Sequence, residues 1–220
     1  MVMPYLVRHR LIHLRKETLW QLADRATTEH ECSGLRHWAD HHLPLVVTRQ
    51  GAETPPHLLS LGLPLPLQWG RLKLGFLLPR ADVVVYASFP TLTTVTRSLA
   101  QHMRPLVYAL QKHGLQAHVH GSYGWQTLSG LTYVHEVSDL DLLIRVNGER
   151  QADLATEALS ACETDAPRLD GELIFPNGAA VAWREWAAWR SGKTPQYLVK
   201  TLLGAHLASS LPGSQATLAA

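Results

Sequence analysis

The chain has 220 residues, 46% of them hydrophobic and 17% charged, with a formal net charge of +2. That length supports one large domain or two small ones around a sizeable core, and so small a charge excess excludes a general nucleic-acid binder. No apolar run is long enough to cross a bilayer, and the opening MVMPYLVRHR lacks the apolar core of a secretory signal. Cys32 and Cys162 stand far apart without metal or redox spacing, so a soluble, cytoplasmic protein with free thiols is expected.

Residues 1–16 carry Arg8, Arg10, Arg15 and Lys16 with His9 and His13, a basic edge that suits either solvent or an anion. Leu19, Leu22 and Ala26 recur at helical spacing and predict a helix over 17–26, and a second short helix fits 32–42. Residues 44–48 read as a strand and GAETPPH as a loop. The run LGLPLPL at 61–67 is apolar, but Pro64 and Pro66 cannot donate to a ladder, which argues against a central strand. Residues 71–78 alternate and predict a half-exposed strand, and DVVVYA at 82–87 predicts another. Phe89-Pro90 marks the expected boundary between a smaller amino-terminal α+β domain, 1–88, and a second domain, 89–220. The first has ten basic and seven acidic side chains, net +3, and the second ten and eleven, net −1.

In the second part a long helix is expected over 91–113, stopped by Gly114, then a strand over 115–120 and a helix over roughly 122–130. Residues 139–146 read as a strand and 149–162 as a helix burying Ala152, Leu154, Ala155, Ala158 and Leu159. Residues 168–175 and 179–183 predict a hairpin turning at Pro176-Asn177-Gly178. Trp183, Trp186 and Trp189 share one face of a short helix and read as core, residues 196–202 begin a last strand or helix, and the tail from Ser209 is expected to fray. Strands alternating with helices argue for an α/β (α+β) fold in which a mixed sheet carries flanking helices.

The chemistry concentrates in GSYGWQTLSGLTYVHEVSDLDLLIR, residues 121–145. A small-residue turn follows an apolar run, and Asp139 and Asp141 share one face of a strand. Two carboxylates side by side repel, and a hard divalent cation, Mg²⁺ or Mn²⁺, that also takes phosphate oxygens relieves the repulsion. Gly121 permits close backbone approach, while Ser122 offers a hydroxyl and an N–H at a helix start that favours anions. Tyr123 and Trp125 are candidates to stack on a base, Trp125 fitting packing better. In LDGELIF, Asp170 and Glu172 share a face, and either supplies a third metal carboxylate, with Asp170 preferred. Arg145 and Lys200 are candidates to neutralise a leaving pyrophosphate. His118 and His120 also share a face, but no third ligand has convincing spacing, so they read as packing or support.

Gly-Ser after a strand, then a helix, then Asp-x-Asp on the next strand resembles the polymerase-β-like nucleotidyltransferase superfamily. The gap of sixteen residues between Ser122 and Asp139 is longer than most of its members show. The string GSYGWQTLSGLTYVHEVSDLDLLI, with RLDGELIFPNGAAVAWREW at 168–186 and VRHRLIHL, PLVVTRQ and GLPLPL earlier, resembles the holo-acyl-carrier-protein synthases of malonate decarboxylase, the phosphoribosyl-dephospho-CoA transferases. That resemblance implies a Mg²⁺-dependent enzyme with triphosphoribosyl-dephospho-CoA as donor. The acceptor it implies is a serine of the decarboxylase's acyl carrier subunit, with pyrophosphate leaving. Asp139 and Asp141 would hold the metals, and Arg8 and Arg10 would suit the carrier or the donor's arm. The alternatives are a nucleotidyltransferase that adenylylates a protein, an RNA end or a small molecule, and a non-enzymatic interaction module of the same fold.

Overall fold

The computed structural model describes residues 6–95, 99, 103–162 and 167–212. Its first sheet is antiparallel throughout, in the order β4-β3-β2-β1-β5, from β1 (Leu11–Leu14), β2 (Leu45–Val47), β3 (Leu58–Pro64), β4 (Lys73–Pro79) and β5 (Val83–Ala87). Helices α1 (Lys16–Asp24) and α2 (Glu29–Asp40) bring Leu19, Leu35 and Trp38 into one core with Leu11, Ile12, Leu45, Leu59 and Leu61. Helix α2 has a defined start: the Thr28 hydroxyl accepts from the Glu31 amide, and the Glu31 carboxylate reaches back to the Thr27 N–H.

The second sheet has the order β11-β10-β9-β8-β7-β6, from β6 (Ala117–Val119), β7 (Leu140–Arg145), β8 (Leu169–Ile174), β9 (Ala180–Ala182), β10 (Tyr197–Lys200) and β11 (Ala205–Ala208). Only β7 and β8 run parallel, because helix α6 (Glu149–Ala161) carries the chain back between them. Helices α3 (Leu92–Val95), α4 (Arg104–Lys112), α5 (Gly121–Ser129) and α7 (Trp183–Arg190) complete this mixed α+β half. The tryptophan stripe is core as expected: Trp183 and Trp186 are buried, and the Trp186 indole N–H donates to Asp153 at 2.8 Å.

The two halves meet through aromatic packing. Trp125, from α5, enters the first core, edge-on to Phe89 at 5.4 Å and 6.2 Å from Trp38. The Tyr133 hydroxyl donates to the Pro64 carbonyl at 2.8 Å, a second tie between the halves. Trp125 is therefore a packing residue.

Four expectations change. The basic amino-terminal stretch contains β1, an interior strand whose Leu11 and Ile12 are fully buried. The LGLPLPL run does contribute to an interior strand: β3 begins earlier, at Leu58, so Pro64 falls on its last residue, where a missing N–H costs least, and Pro66 lies beyond it. The long helix over 91–113 is broken, since Leu99 sits in a bend and α4 starts afresh with Pro105 in its first turn. A proline fits a first turn but clashes inside a helix. Positions 96–98 and 100–102 of that expected helix lie outside the described residues. The segment 196–202 holds β10, but β11 follows it, and the start of the expected frayed tail is anchored by the Ser210 carbonyl accepting from the Tyr197 hydroxyl at 2.6 Å. Residues 213–220 of the tail, like residues 1–5 of the basic stretch, lie outside the described residues.

Candidate active site

Parallel pairing of β7 and β8 sets Asp141 directly beside Asp170. Side chains alternate along a strand, so Leu143, Arg145, Glu172 and Ile174 fall on the same face as these two carboxylates. Asp139 lies one residue before β7 and Arg168 one residue before β8. Burial, followed by the charges of Asp170 and Asp139, pushes the Asp141 carboxyl up to about 6 from an ordinary 3.8. Such a shift reflects first the removal of the carboxyl from water and then the neighbouring carboxylates, a combination common at functional sites.

Gly121 is the first residue of α5, at φ +58°, and a Cβ there would come within 1.9 Å of Asp141 Oδ2. The absent side chain leaves room for the carboxylate itself, pressed against the helix start. The His120 amide donates to the Asp141 carbonyl at 3.0 Å and fixes that contact. The His120 side chain makes no cap, and the first helical amides have no partner within their own helix. Ser122 and Tyr123 follow in the same turn; Tyr123 packs partly into the second core, and burial raises its hydroxyl above the usual range.

Asp139 is engaged by Arg168, whose Nε donates to Oδ1 at 3.0 Å while Nη2 donates to Oδ2. This paired hydrogen bond holds the Asp139 carboxyl below its ordinary value and raises the guanidinium. Asp170 instead accepts from the Gly171 amide at 2.8 Å.

Glu172, on the same face, is only 8% exposed and has a cationic surround. Lys200 Nζ donates to Oε1 at 2.7 Å, His9 Nε2 stands at ion-pair distance, 3.4 Å, from Oε2, and Arg8 is 3.7 Å away. Burial opposes ionisation of this carboxyl, but the contacts to His9 and Lys200 and the charge of Arg8 outweigh it and hold Glu172 well below the usual carboxylate range. His9 adopts φ +60°, an uncommon conformation for a residue with a side chain, and its ring lies 4.7 Å from that of His120. Burial and neighbouring His9 push His120 down to about 3, so it is neutral.

Asp139, Asp141, Asp170, Gly121 and Ser122 thus gather at one end of β7, β8 and α5. Glu172 and Lys200 pair with each other one step further along the face. Arg145 lies at the opposite end of β7, beside Arg10. His118 Nδ1 donates to the Phe89 carbonyl at 2.7 Å and serves the fold, as its strand position suggests. Sequence reasoning missed Arg168 as the partner of Asp139, and His9 as a neighbour of Glu172. Arg168 stands two residues before Asp170, the spacing that puts both on one face, which was the available signal.

Among the described residues, no group of three or more His, Cys, Asp or Glu side chains is gathered closely enough to hold a metal unaided. Mg²⁺ does not require that: it takes one or two carboxylates and completes its shell with water and substrate phosphates. The crowded Asp141–Asp170 pair, hard oxygen donors with unrelieved repulsion, fits such an ion, and zinc's nitrogen and sulfur preference does not fit it.

Comparison with known proteins covers both halves. Residues 7–89 match the phosphoribosyl-dephospho-CoA transferase MdcG N-terminal domain, and residues 90–210 match its C-terminal domain. A phosphoribosyl-dephospho-CoA transferase of Xanthomonas euvesicatoria pv. vesicatoria is 39% identical over 199 residues, 88% of this chain and 90% of that protein. One from Xanthomonas axonopodis pv. citri is 37% identical with the same coverage, and one from Bradyrhizobium diazoefficiens is 37% identical over 66% of this chain and 64% of its own length. No solved structure matches.

Proposed function

The chain belongs to the phosphoribosyl-dephospho-CoA transferase family, and from that membership we propose that it moves the phosphoribosyl-dephospho-CoA group onto a protein. The donor is the triphosphoribosyl precursor, and the acceptor is a serine of the acyl carrier subunit of malonate decarboxylase. The observation that carries this reading is the Asp141–Asp170 pair held against the start of α5 by a glycine with no room for a side chain. The order of turn, helix and Asp-x-Asp strand supports placement in the polymerase-β-like nucleotidyltransferase superfamily.

In the proposed reaction the serine oxygen attacks the phosphorus nearest the ribose. A new P–O bond forms there, the bond to the next phosphate breaks, and pyrophosphate leaves with the electron pair. The serine proton passes to a carboxylate of the Asp141–Asp170 pair. Bound Mg²⁺ or Mn²⁺, with Asp141 and Asp170 as its first protein ligands and Asp139 as a third once it leaves Arg168, would supply charge neutralisation on the phosphate oxygens. Asp170 suits a ligand's place better than Glu172, which already carries Lys200. For Asp139 to serve, it exchanges its Arg168 partner, and the freed guanidinium then meets the departing phosphates. The first-turn amides of α5 at Gly121 and Ser122, which have no partner within their own helix, favour the same anion.

A recess of about 380 Å³ adjoins the site, lined by Arg8, His9, Val46, Thr48, Leu198 and Lys200, an apolar wall with a cationic rim that suits the donor's nucleoside or pantetheine arm. No helix among the described residues is long and apolar enough to cross a membrane. This activity belongs in the cytoplasm, where the free thiols Cys32 and Cys162 stay reduced. The test is incubation with the triphosphoribosyl donor and apo carrier protein, followed by mapping of the modified residue. Label from ATP incorporated in place of the donor group would assign the chain to adenylyl transfer.

A further inference from the structure

Arg145 shares the strand face of Asp141 but stands four residues further along β7, roughly 13 Å at the rise of a strand. A phosphate held at the Asp141–Asp170 pair is out of its reach. Beside Arg145 opens a separate cavity of about 300 Å³, lined among others by Val7, Arg10, Val146, Asn147 and Phe175. Arg10 enters it from the amino-terminal segment. Its Nη1 donates to the Ser88 hydroxyl at 3.3 Å, and its Nε is buried without a hydrogen-bond partner. Among the described residues, neither Arg10 nor Arg145 has a carboxylate within ion-pair distance. Burial and the charge of Arg10 lower the Arg145 guanidinium below its ordinary value, as expected of two cations crowded together without a counter-charge. Val146 and Asn147 lead directly into the start of α6, so the positive end of a 13-residue helix adds to the same field.

We propose that this cavity is the subsite for the donor's internal diphosphate, the linkage that joins adenosine to pantetheine in any dephospho-CoA compound. The inference rests on the transfer reading above and extends it to the non-reacting end of the donor. The donor carries two separate sets of phosphates: the triphosphate that reacts, and a diphosphate that does not. The fold has two matching anion sites on one sheet face, the carboxylate pair with the metal it would hold and the Arg10–Arg145 fork. Two guanidiniums meet the two negative charges of a diphosphate with bidentate geometry that lysines would not reproduce. The apolar side chains of Val7 and Phe175 then lie where the arm leaves the diphosphate. Arg145 acts in this account on binding, and the leaving pyrophosphate is met elsewhere.

The test is calorimetric titration of dephospho-CoA and of adenosine into the wild-type protein, Arg145→Gln and Arg145→Lys, with donor and carrier kinetics on the same proteins. Arg145 is exposed over much of its surface although its guanidinium is partly buried beside Arg10, and it has no carboxylate partner among the described residues, so its replacement leaves folding intact. Arg145→Gln should weaken dephospho-CoA binding and raise donor KM by roughly ten- to a hundredfold, the worth of charge-assisted hydrogen bonds. Adenosine binding and kcat at saturating donor should stay within about twofold, and Arg145→Lys should recover part of the loss. Unchanged dephospho-CoA affinity in Arg145→Gln overturns the proposal. So does a fall in kcat with unchanged donor KM, which would mean a leaving-group role, or a rise in carrier KM alone, which would mean a docking role. If the wild type transfers nothing yet binds dephospho-CoA in an Arg145-dependent way, the transfer reading falls and the subsite stands. If transfer proceeds while dephospho-CoA binding ignores Arg145, the subsite alone falls, and failure of both measurements removes both.

Discussion

Asp141→Asn should make the metal-free protein more stable while abolishing transfer. The folded protein keeps the Asp141 proton up to about pH 6, whereas an unfolded chain releases it near 3.8. Folding therefore takes up a proton between those values, so the group's contribution to stability is greatest in acid and is lost as pH rises through about 6. A shift of about two units corresponds to roughly 3 kcal/mol at neutral pH, and partial solvent screening reduces this to about 1–2 kcal/mol. Asparagine keeps the side-chain volume and removes the charge. At pH 7.5 in EDTA the variant should melt roughly 2–8 °C higher than wild type, and the difference should shrink toward pH 4. Adding Mg²⁺ or Mn²⁺ should raise the wild-type melting temperature and restore transfer, and it should do neither for the variant. A metal-free variant that melts below wild type at pH 7.5, or one that turns over the donor at a near-normal rate, would refute the crowded-carboxylate account.

Three further outcomes are expected. Gly121→Ala places a methyl group on the Asp141 carboxylate at a left-handed backbone position, so it should cost about 1–3 kcal/mol in chemical unfolding and lower kcat about a hundredfold or more. Arg168→Gln should leave the melting temperature nearly unchanged, move the Asp139 carboxyl upward toward its ordinary value in an NMR titration, and reduce kcat as the departing phosphates lose their cation. Glu172→Gln leaves Arg8, His9 and Lys200 without their carboxylate and should destabilise by about 3 kcal/mol in urea at pH 7. Because the wild-type carboxyl is depressed, that gap is full above the ordinary value of 4.5 and narrows as pH falls below it, which unfolding curves at two pH values will show.

The Asp-x-Asp strand and the Gly-Ser turn were legible because strand alternation and small-residue turns are local properties of the chain. So were α1, α2, α6 and the β8–β9 hairpin, each signalled by its own periodicity or turn residues. The surroundings of Glu172 were not legible, since Arg8, His9 and Lys200 reach it from opposite ends of the sequence and only tertiary packing joins them. Strand β1 was hidden because only four residues pair, with basic side chains on both sides masking Leu11 and Ile12. Strand β3 was misjudged because the proline rule applies to ladder positions, and Pro64 closes the strand rather than interrupting it. The break in the expected 91–113 helix was written in Pro105, but the apolar spacing around it continued as if the helix did. Gly121 was legible as a special position, though for phosphate approach; what its backbone accommodates is the Asp141 side chain.

The central claim is that the Asp141–Asp170 end of this fold transfers phosphoribosyl-dephospho-CoA to a carrier serine. Its most direct measurement is the intact mass of apo acyl carrier subunit after incubation with this protein, Mg²⁺ and the triphosphoribosyl donor, with pyrophosphate assayed in the same mixture. The account predicts a carrier heavier by one phosphoribosyl-dephospho-CoA group on a serine, one pyrophosphate released per group, and neither product with Asp141→Asn. An unmodified carrier in the presence of folded wild-type protein and intact donor, or a carrier modified without pyrophosphate release, would contradict it.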